Sequence, residues 1–162
     1  MALAILRAMD ARGAIVVDID ARKREAAMQA GALAVVDGGA ADAASQIQAI
    51  VNDRIWAVVD FVGSGTTVKF GVDLLTKGGR LVVVGLFGGE LTIPTPYIPM
   101  RAMTIQGSYT GSLPELTELI ALLRTSPMAY MPVEVRPLET VNQSLNDLRD
   151  GHIVGRVVLA PN

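Results

Sequence analysis

The spacing of apolar residues switches repeatedly along the first half of the chain, and the switches predict alternating strands and helices. Short continuous apolar runs rich in β-branched residues predict strands that are covered on both faces. Apolar residues three and four positions apart predict the helices between them. Strands are expected at residues 14–18, 33–36, 55–62 and 80–86. Helices are expected at residues 2–12, 21–30, 41–51 and 66–75.

The ends of these elements carry the residue types that such ends prefer. Gly13 is placed to end the first helix, and Asp20 and Gly31 are placed to begin and end the second. Glycine pairs follow several of the expected strands and helices. Strand and helix in alternation, with tight turns between them, predict an α/β fold with a parallel sheet flanked by helices, of Rossmann-like form.

The second half of the chain is less regular. Prolines in residues 91–99 predict a loop or an edge segment. The stretch from Met103 to Tyr109 alternates and predicts a strand. Ser112 and Pro114 suit the start of a helix over residues 113–124. A strand at 133–136, a helix at 138–149 and a strand at 153–159 complete the prediction.

Composition narrows the class of protein. The length of 162 residues predicts a single domain over residues 1–162, and 51% hydrophobic residues suffice for a packed core. A net charge of −2 with scattered charges argues against a nucleic-acid or membrane surface. No cysteine is present and His152 is the one histidine, so neither disulfides nor a thiolate metal site are expected. A cytoplasmic location is the default expectation.

Asp18 is the strongest candidate for a ligand contact. It ends an apolar strand, at the position where dinucleotide-binding units keep the acid that binds an adenosine ribose. A carboxylate there can accept hydrogen bonds from both ribose hydroxyls and would repel a 2′-phosphate, which favours NAD over NADP. The glycine-rich turn normally precedes this acid by about 20 residues, so it would lie before Met1. A strand-end aspartate that only caps the next helix is the alternative.

Several segments together resemble the C-terminal NAD-binding domain of zinc-dependent, medium-chain alcohol dehydrogenases. They are VVDIDARKREAAMQAGA, VVDFVGS, GGRLVVVGLFGG, TIQGSYTGS and GHIVGRVVL, in this order over nearly the whole chain. The resemblance implies an incomplete Rossmann-like domain that lacks its first strand, the glycine fingerprint and the catalytic domain. It implies NAD as cofactor, with zinc and its ligands in the absent domain and no catalytic residue in this chain.

The resemblance also implies site residues. Lys23 matches a lysine near the ribose, and Arg156 matches an arginine that contacts the pyrophosphate. Residues at three strand ends would pack against or hydrogen-bond the adenine and nicotinamide halves. These residues are Phe61, Val62, Val84, Gly85, Leu86, Ser108 and Tyr109. For each of them a purely structural role is the alternative: core, turn or surface charge. Arg22, Arg24 and His152 are expected to be plain surface residues, and Asp60 a structural one.

The whole protein implied in this way would transfer hydride between an alcohol and NAD. The chain alone is expected to be catalytically silent and to bind NAD weakly or not at all. Its edge strand from Met103 to Tyr109 is expected to pair with its twin in a homodimer. Two alternatives stay open: a non-catalytic binding or dimerising module derived from a dehydrogenase, and a piece of a related polyol dehydrogenase or quinone reductase.

Overall fold

A computed structural model of the chain describes residues 1–52, 54–126 and 132–161. Within these residues helices and parallel strands alternate. The helices are α1 (Ala2–Ala8), α2 (Ala21–Gln29), α3 (Ala43–Val51), α4 (Gly65–Leu74), α5 (Tyr97–Arg101), α6 (Leu113–Thr125) and α7 (Val141–Arg149). The strands are β1 (Ile15–Asp18), β2 (Ala34–Asp37), β3 (Ala57–Asp60), β4 (Arg80–Val83), β5 (Thr104–Gly107), β6 (Val133–Pro137) and β7 (Arg156–Ala160).

The chain divides into two compact units. The first comprises Met1–Gly39 and Thr117–Asn162, and the second comprises Ala40–Leu116. The first unit holds two separate parallel ladders, β1 with β2 and β6 with β7. The register of the first ladder places Asp18 opposite Asp37, so both strands end at the same level. Helix α2 connects β1 to β2 and packs against both strands.

The second unit is built on a three-stranded parallel sheet in the order β3-β4-β5. Helix α4 connects β3 to β4 and supplies Val68, Val72 and neighbouring Leu75 to the core. Leu81 of β4 and Met103 complete this core, in which Val72 and Leu81 are fully buried. Burial of several aliphatic side chains, at about 1.5–3 kcal/mol each, is the main stabilising contribution to this unit.

The helix starts follow from their cap residues. Asp20 accepts a hydrogen bond from the Arg22 amide, which confirms its predicted capping role at α2. Ser64 and Thr67 form a reciprocal capping box at α4. Ser112 caps α6 together with Glu115: the Ser112 amide donates to the Glu115 carboxylate over 2.6 Å. These local bonds satisfy amides that have no partner within the helix.

Most of the predicted elements are confirmed, with shorter strands than expected. The first helix was predicted over residues 2–12, but α1 ends at Ala8, and Asp10 adopts a left-handed conformation with φ 52° before Gly13 is reached. The stretch 91–99 was predicted as loop or edge only, but Tyr97 begins the short helix α5. The predicted strand 153–159 begins at Arg156 instead of residue 153, and residues 138–140 form a 3₁₀ turn before α7. No described helix is long and apolar enough to cross a membrane.

Candidate functional site at the carboxyl ends of the strands

Three strands of the fold end in the same three residues, valine, valine and aspartate. The aspartates are Asp18 of β1, Asp37 of β2 and Asp60 of β3. In each case one carboxylate oxygen accepts a hydrogen bond from the amide two residues further along, at 2.9, 2.9 and 2.8 Å respectively. This turn fixes the carboxylate at the strand end and uses one of its two oxygens. The partners of the second oxygen distinguish the three aspartates.

The second oxygen of each aspartate has a different environment. That of Asp60 accepts a hydrogen bond from the Thr67 hydroxyl at 2.8 Å, and that of Asp37 pairs with the Arg24 guanidinium at 3.0 Å. For Asp18, only Oδ1 has a partner within the part of the chain that the structure describes. Asp18 is half-buried. Of the three, it is therefore the carboxylate with an oxygen available to a ligand hydroxyl.

Two arginines brace the Asp18 turn without binding its carboxylate. Arg24 donates to the Asp18 carbonyl oxygen at 2.8 Å while pairing with Asp37. Its side chain is only 18% exposed, so the expectation of a plain surface charge is wrong for Arg24. The Asp37 charge, next to Asp18 in the register, is thereby neutralised.

Arg22 is held on the other side of the same turn. Its guanidinium makes two hydrogen bonds to the Asp20 carboxylate, at 2.8 and 3.2 Å, and one to the Gly151 carbonyl at 2.9 Å. The hydrogen bond from Arg22 lowers the pKa of Asp20 from 3.8 to about 2. Arg22 is exposed but anchored, so it too differs from the plain surface charge that was expected.

The other two candidates of the first unit have few contacts. Lys23 lies in the first turn of α2, five residues after Asp18, and is exposed. Arg156 begins β7 and is exposed, and within the described residues its guanidinium makes one long hydrogen bond of 3.5 Å, to the Gly155 carbonyl. Their side chains are therefore available for a ligand. Their roles stay predictions. His152 is exposed, as expected.

In the second unit, Asp60 organises the end of β3. It is only 7% exposed, and it accepts hydrogen bonds from the Val62 and Gly63 amides and the Thr67 hydroxyl. The chain after β3 then runs directly against the chain after β4. A Cβ atom added to Gly63 would overlap the Gly85 carbonyl, and one added to Gly85 would overlap the Val62 backbone. Glycine is required at both positions because backbone lies against backbone.

The remaining predicted residues lie along one rim. Strands β3, β4 and β5 are parallel neighbours, so the segments that follow them emerge at the same edge of the sheet. Backbone bonds continue past the strand ends, from Phe87 to Val62 at 3.0 Å and from Ser108 to Val83 at 2.9 Å. The predicted residues that the structure brings to this rim are Phe61, Val62, Val84, Gly85, Leu86, Ser108 and Tyr109.

This rim is apolar and open. Phe61 is 61% exposed, and Leu86 and Tyr109 are each 75% exposed, far more than a core residue. Large apolar side chains held at the carboxyl rim of a parallel sheet suit the flat faces of an aromatic ligand. Val62 is 49% exposed, so it is available for contact as well.

The fit of a dinucleotide is partial. The open oxygen of Asp18 suits a ribose hydroxyl. The glycine-containing start of α4 does not offer a phosphate cradle, because Ser64 and Thr67 cap it and Gly65 lies against the Glu90 backbone. Among residues 1–52, 54–126 and 132–161, no group of three His, Cys, Asp or Glu side chains could hold a metal ion. The described residues therefore do not fit a zinc site.

Sequence reasoning missed three contributors to the Asp18 turn: Asp37, Arg24 and the ion-pairing role of Asp20. The repeated Val-Val-Asp ending was the available signal for Asp37, because equal endings on paired parallel strands place the acids side by side. No sequence signal indicates which arginine binds which acid.

Comparison with known proteins gives a consistent result. The zinc-binding dehydrogenase family matches residues 1–125. An NAD-dependent alcohol dehydrogenase of Sulfurisphaera tokodaii is 31% identical over 99% of this chain and 47% of its own length. An alcohol dehydrogenase of Geobacillus stearothermophilus is 33% identical over 90% of this chain and 42% of its own.

Solved structures agree with the sequence comparisons. The alcohol dehydrogenase of Aeropyrum pernix superposes with a TM-score of 0.87 at 33% identity, covering 99% of this chain and 46% of that one. Benzyl alcohol dehydrogenase of Acinetobacter calcoaceticus gives a TM-score of 0.81 at 27% identity, over 98% of this chain and 46% of that one. The chain thus spans about half the length of the relatives it matches.

Proposed function

The chain belongs to the zinc-binding dehydrogenase family, and from that premise we propose that it is the coenzyme-binding part of an NAD-dependent alcohol dehydrogenase. The whole protein would oxidise an alcohol by transferring hydride to NAD, which is the redox group when bound. We assign the alcohol pocket and the zinc ligands to the part of the relatives' length that this chain does not cover.

One observation carries the proposal: the uncommitted carboxylate oxygen of Asp18 at the carboxyl end of a parallel strand. Asp37 and Asp60 share the motif, but their second oxygens are occupied by Arg24 and Thr67. A carboxylate at this place accepts hydrogen bonds from ribose hydroxyls, and its charge disfavours a 2′-phosphate. Asp18 therefore binds the adenosine ribose and favours NAD.

We propose roles in coenzyme binding for the other candidate residues as well. Lys23 and Arg156 are exposed cations; we assign Lys23 to the neighbourhood of the ribose and Arg156 to the pyrophosphate. Phe61, Val62, Val84, Gly85 and Leu86 give the sheet of the second unit an apolar rim for the flat rings. Ser108 and Tyr109 present polar groups at the end of the neighbouring strand β5.

Calorimetric titration with NAD tests the proposal. We expect weak binding, with a dissociation constant on the order of 1 mM, because the phosphates have no described cradle. The Asp18→Ala variant should lose this binding, whereas Glu25→Ala, which removes an exposed carboxylate from α2, should keep it. Absence of binding by the unaltered chain at 10-fold higher NAD concentration, roughly 10 mM, would contradict the proposal.

We also propose that the chain forms a homodimer through β5. Among the described strands, β5 pairs with β4 alone, and its four residues are all exposed. Ile105 is 39% exposed and lines a hollow of about 340 Å³ together with Ile98, Met103 and Thr104. An open edge with an apolar side chain is typical of strand pairing between copies.

Sedimentation equilibrium tests the dimer. The unaltered chain should sediment as a dimer, and Ile105→Lys should convert it to a monomer because a charge opposes edge pairing. Leu145→Lys is a matched control, since Leu145 is an exposed apolar residue that lies on the helix α7 and not on a strand. A monomeric unaltered chain would contradict this part of the proposal. A cytoplasmic location is also proposed, and immunodetection in fractionated cells would test it.

A further inference from the structure

The Asp18 turn contains a feature that the family assignment does not explain. An arginine soon after the ribose acid is the residue type that binds a 2′-phosphate in NADP-dependent proteins. This chain has two, Arg22 and Arg24, directly after an acid that favours NAD. Left unpaired, these guanidinium groups would oppose the selectivity that Asp18 provides.

Both guanidinium groups are instead occupied by acceptors of the protein. Arg24 binds the Asp18 carbonyl and the Asp37 carboxylate. Arg22 binds both oxygens of Asp20 and the Gly151 carbonyl. Three of the five N–H donors of Arg22 are used in this way, the one on Nε and both on Nη2. They form one of the edges at which a guanidinium binds a phosphate through two parallel hydrogen bonds.

Asp20 links the ribose acid Asp18 to Arg22. Its amide donates to the Asp18 carboxylate at 2.9 Å, and its own carboxylate holds Arg22. The same residue caps α2 through the Arg22 amide at 2.9 Å. Arg22 is therefore anchored on the residue that orients the ribose acid, within the same turn.

We propose that Asp20 is a second determinant of coenzyme selectivity, acting by positioning: it holds Arg22 in a bidentate ion pair and keeps the guanidinium from a ribose 2′-phosphate. This inference rests on the proposed function, because it assigns selectivity to the same ribose site. Asp18 excludes the phosphate by its own charge, and Asp20 removes the cation that would counteract that exclusion.

The test uses two probes that differ only in the 2′-phosphate, 5′-AMP and adenosine 2′,5′-bisphosphate. Their dissociation constants are measured by calorimetry or NMR titration of the full chain. Asp20→Ser keeps a helix cap but has no carboxylate for Arg22. We expect it to improve bisphosphate binding about tenfold relative to 5′-AMP, because a released guanidinium gains charge-assisted hydrogen bonds.

Three further variants separate the mechanism from its rivals. Adding Arg22→Ala to Asp20→Ser should cancel the gain. Arg22→Ala alone should not raise bisphosphate binding relative to 5′-AMP, because Arg22 is already occupied by Asp20. Asp42→Asn removes a carboxylate at the start of another helix, α3, and should leave this relative binding unchanged. Should Asp20→Ser fail to fold, Asp20→Asn retains the cap acceptor and weakens the pair, with a smaller shift expected in the same direction.

The outcomes distinguish the two proposals. A gain that survives in the double variant would mean simple loss of repulsion and would overturn the role of Arg22. An unchanged ratio in Asp20→Ser, with both probes binding, would overturn the selectivity inference and leave the coenzyme function standing. Failure of 5′-AMP to bind the unaltered chain would overturn the proposed function, and the inference with it. If Asp20 had a purely structural role, Asp20→Ser would weaken the binding of both probes equally. The ratio of their dissociation constants would then stay the same, which would overturn the selectivity inference.

Discussion

Strands β1 and β3 end in the same three residues, but their terminal aspartates have different surroundings. Both strands finish with two valines and an aspartate, and each aspartate accepts a hydrogen bond from the backbone amide two residues further along the chain. Asp60 then satisfies two further donors and lies buried, whereas Asp18 stays half-buried with one oxygen open. The motif builds the turn, and the residues that follow determine whether the second carboxylate oxygen is hydrogen-bonded or open.

The difference traces to the next few residues. After Asp60 come Gly63, which turns the chain back, and Thr67, whose hydroxyl reaches the second oxygen. After Asp18 comes Asp20, which uses its carboxylate on α2 and Arg22. The carboxylate of Asp20 cannot donate to that of Asp18, so within the described residues the second Asp18 oxygen has no local donor.

The largest effect is expected where backbone meets backbone beyond β3. Gly85→Ala should lower the free energy of unfolding by more than about 3 kcal/mol, because the new Cβ overlaps the Val62 backbone. Gly107→Ala, at the end of β5, faces open space and should cost less than about 1 kcal/mol. Urea unfolding measures both. Equal losses would contradict the close packing of the two strand ends.

The next effect concerns Asp60. Asp60→Ala should cost about 2–4 kcal/mol, because the Val62 and Gly63 amides and the Thr67 hydroxyl lose their acceptor in a buried setting. Asp60→Asn keeps one acceptor oxygen and should cost roughly 1 kcal/mol. The comparison is made by urea unfolding. The structural role assigned to Asp60 would be wrong if the alanine variant were as stable as the parent.

Asp37 provides the intermediate case. Asp37→Asn breaks a partly exposed ion pair with Arg24, and the expected loss is about 0.5–1 kcal/mol. The Gly39 amide can still bond to the asparagine oxygen. Thermal unfolding in low and high salt checks this value, since the loss should shrink as salt screens the pair. A loss as large as that of Asp60→Ala would contradict the ranking.

The smallest expected effect is the loss of the stabilising contribution of Asp20 at acidic pH. The pKa of Asp20 in the folded protein is about 2, below its ordinary value of 3.8. The ionised carboxylate therefore stabilises the fold fully above about pH 4, and this contribution is lost as the pH falls towards about 2. The stability difference between the parent and Asp20→Asn should therefore be constant from about pH 5 to 8 and vanish between about pH 4 and 2. Urea midpoints across this range measure it. A difference that grows in acid would contradict the ion pair.

The sequence predicted the order of helices and strands because apolar spacing and cap residues act locally. It predicted that Asp18 ends a strand, because the apolar run before it stops there. It did not predict that Arg24 is braced against Asp18 and Asp37, since that contact depends on the register of two paired strands. It also overextended α1, because the left-handed Asp10 has no distinctive local signal.

The most direct measurement compares the three matched aspartates in one binding experiment. ADP-ribose is titrated into Asp18→Asn, Asp37→Asn and Asp60→Asn, each first shown to be folded by circular dichroism. Asp18→Asn should lose binding by at least about tenfold, while the other two bind as the parent does. Unchanged binding by Asp18→Asn, or equal losses in all three variants, would contradict the assignment of the open oxygen to the coenzyme ribose.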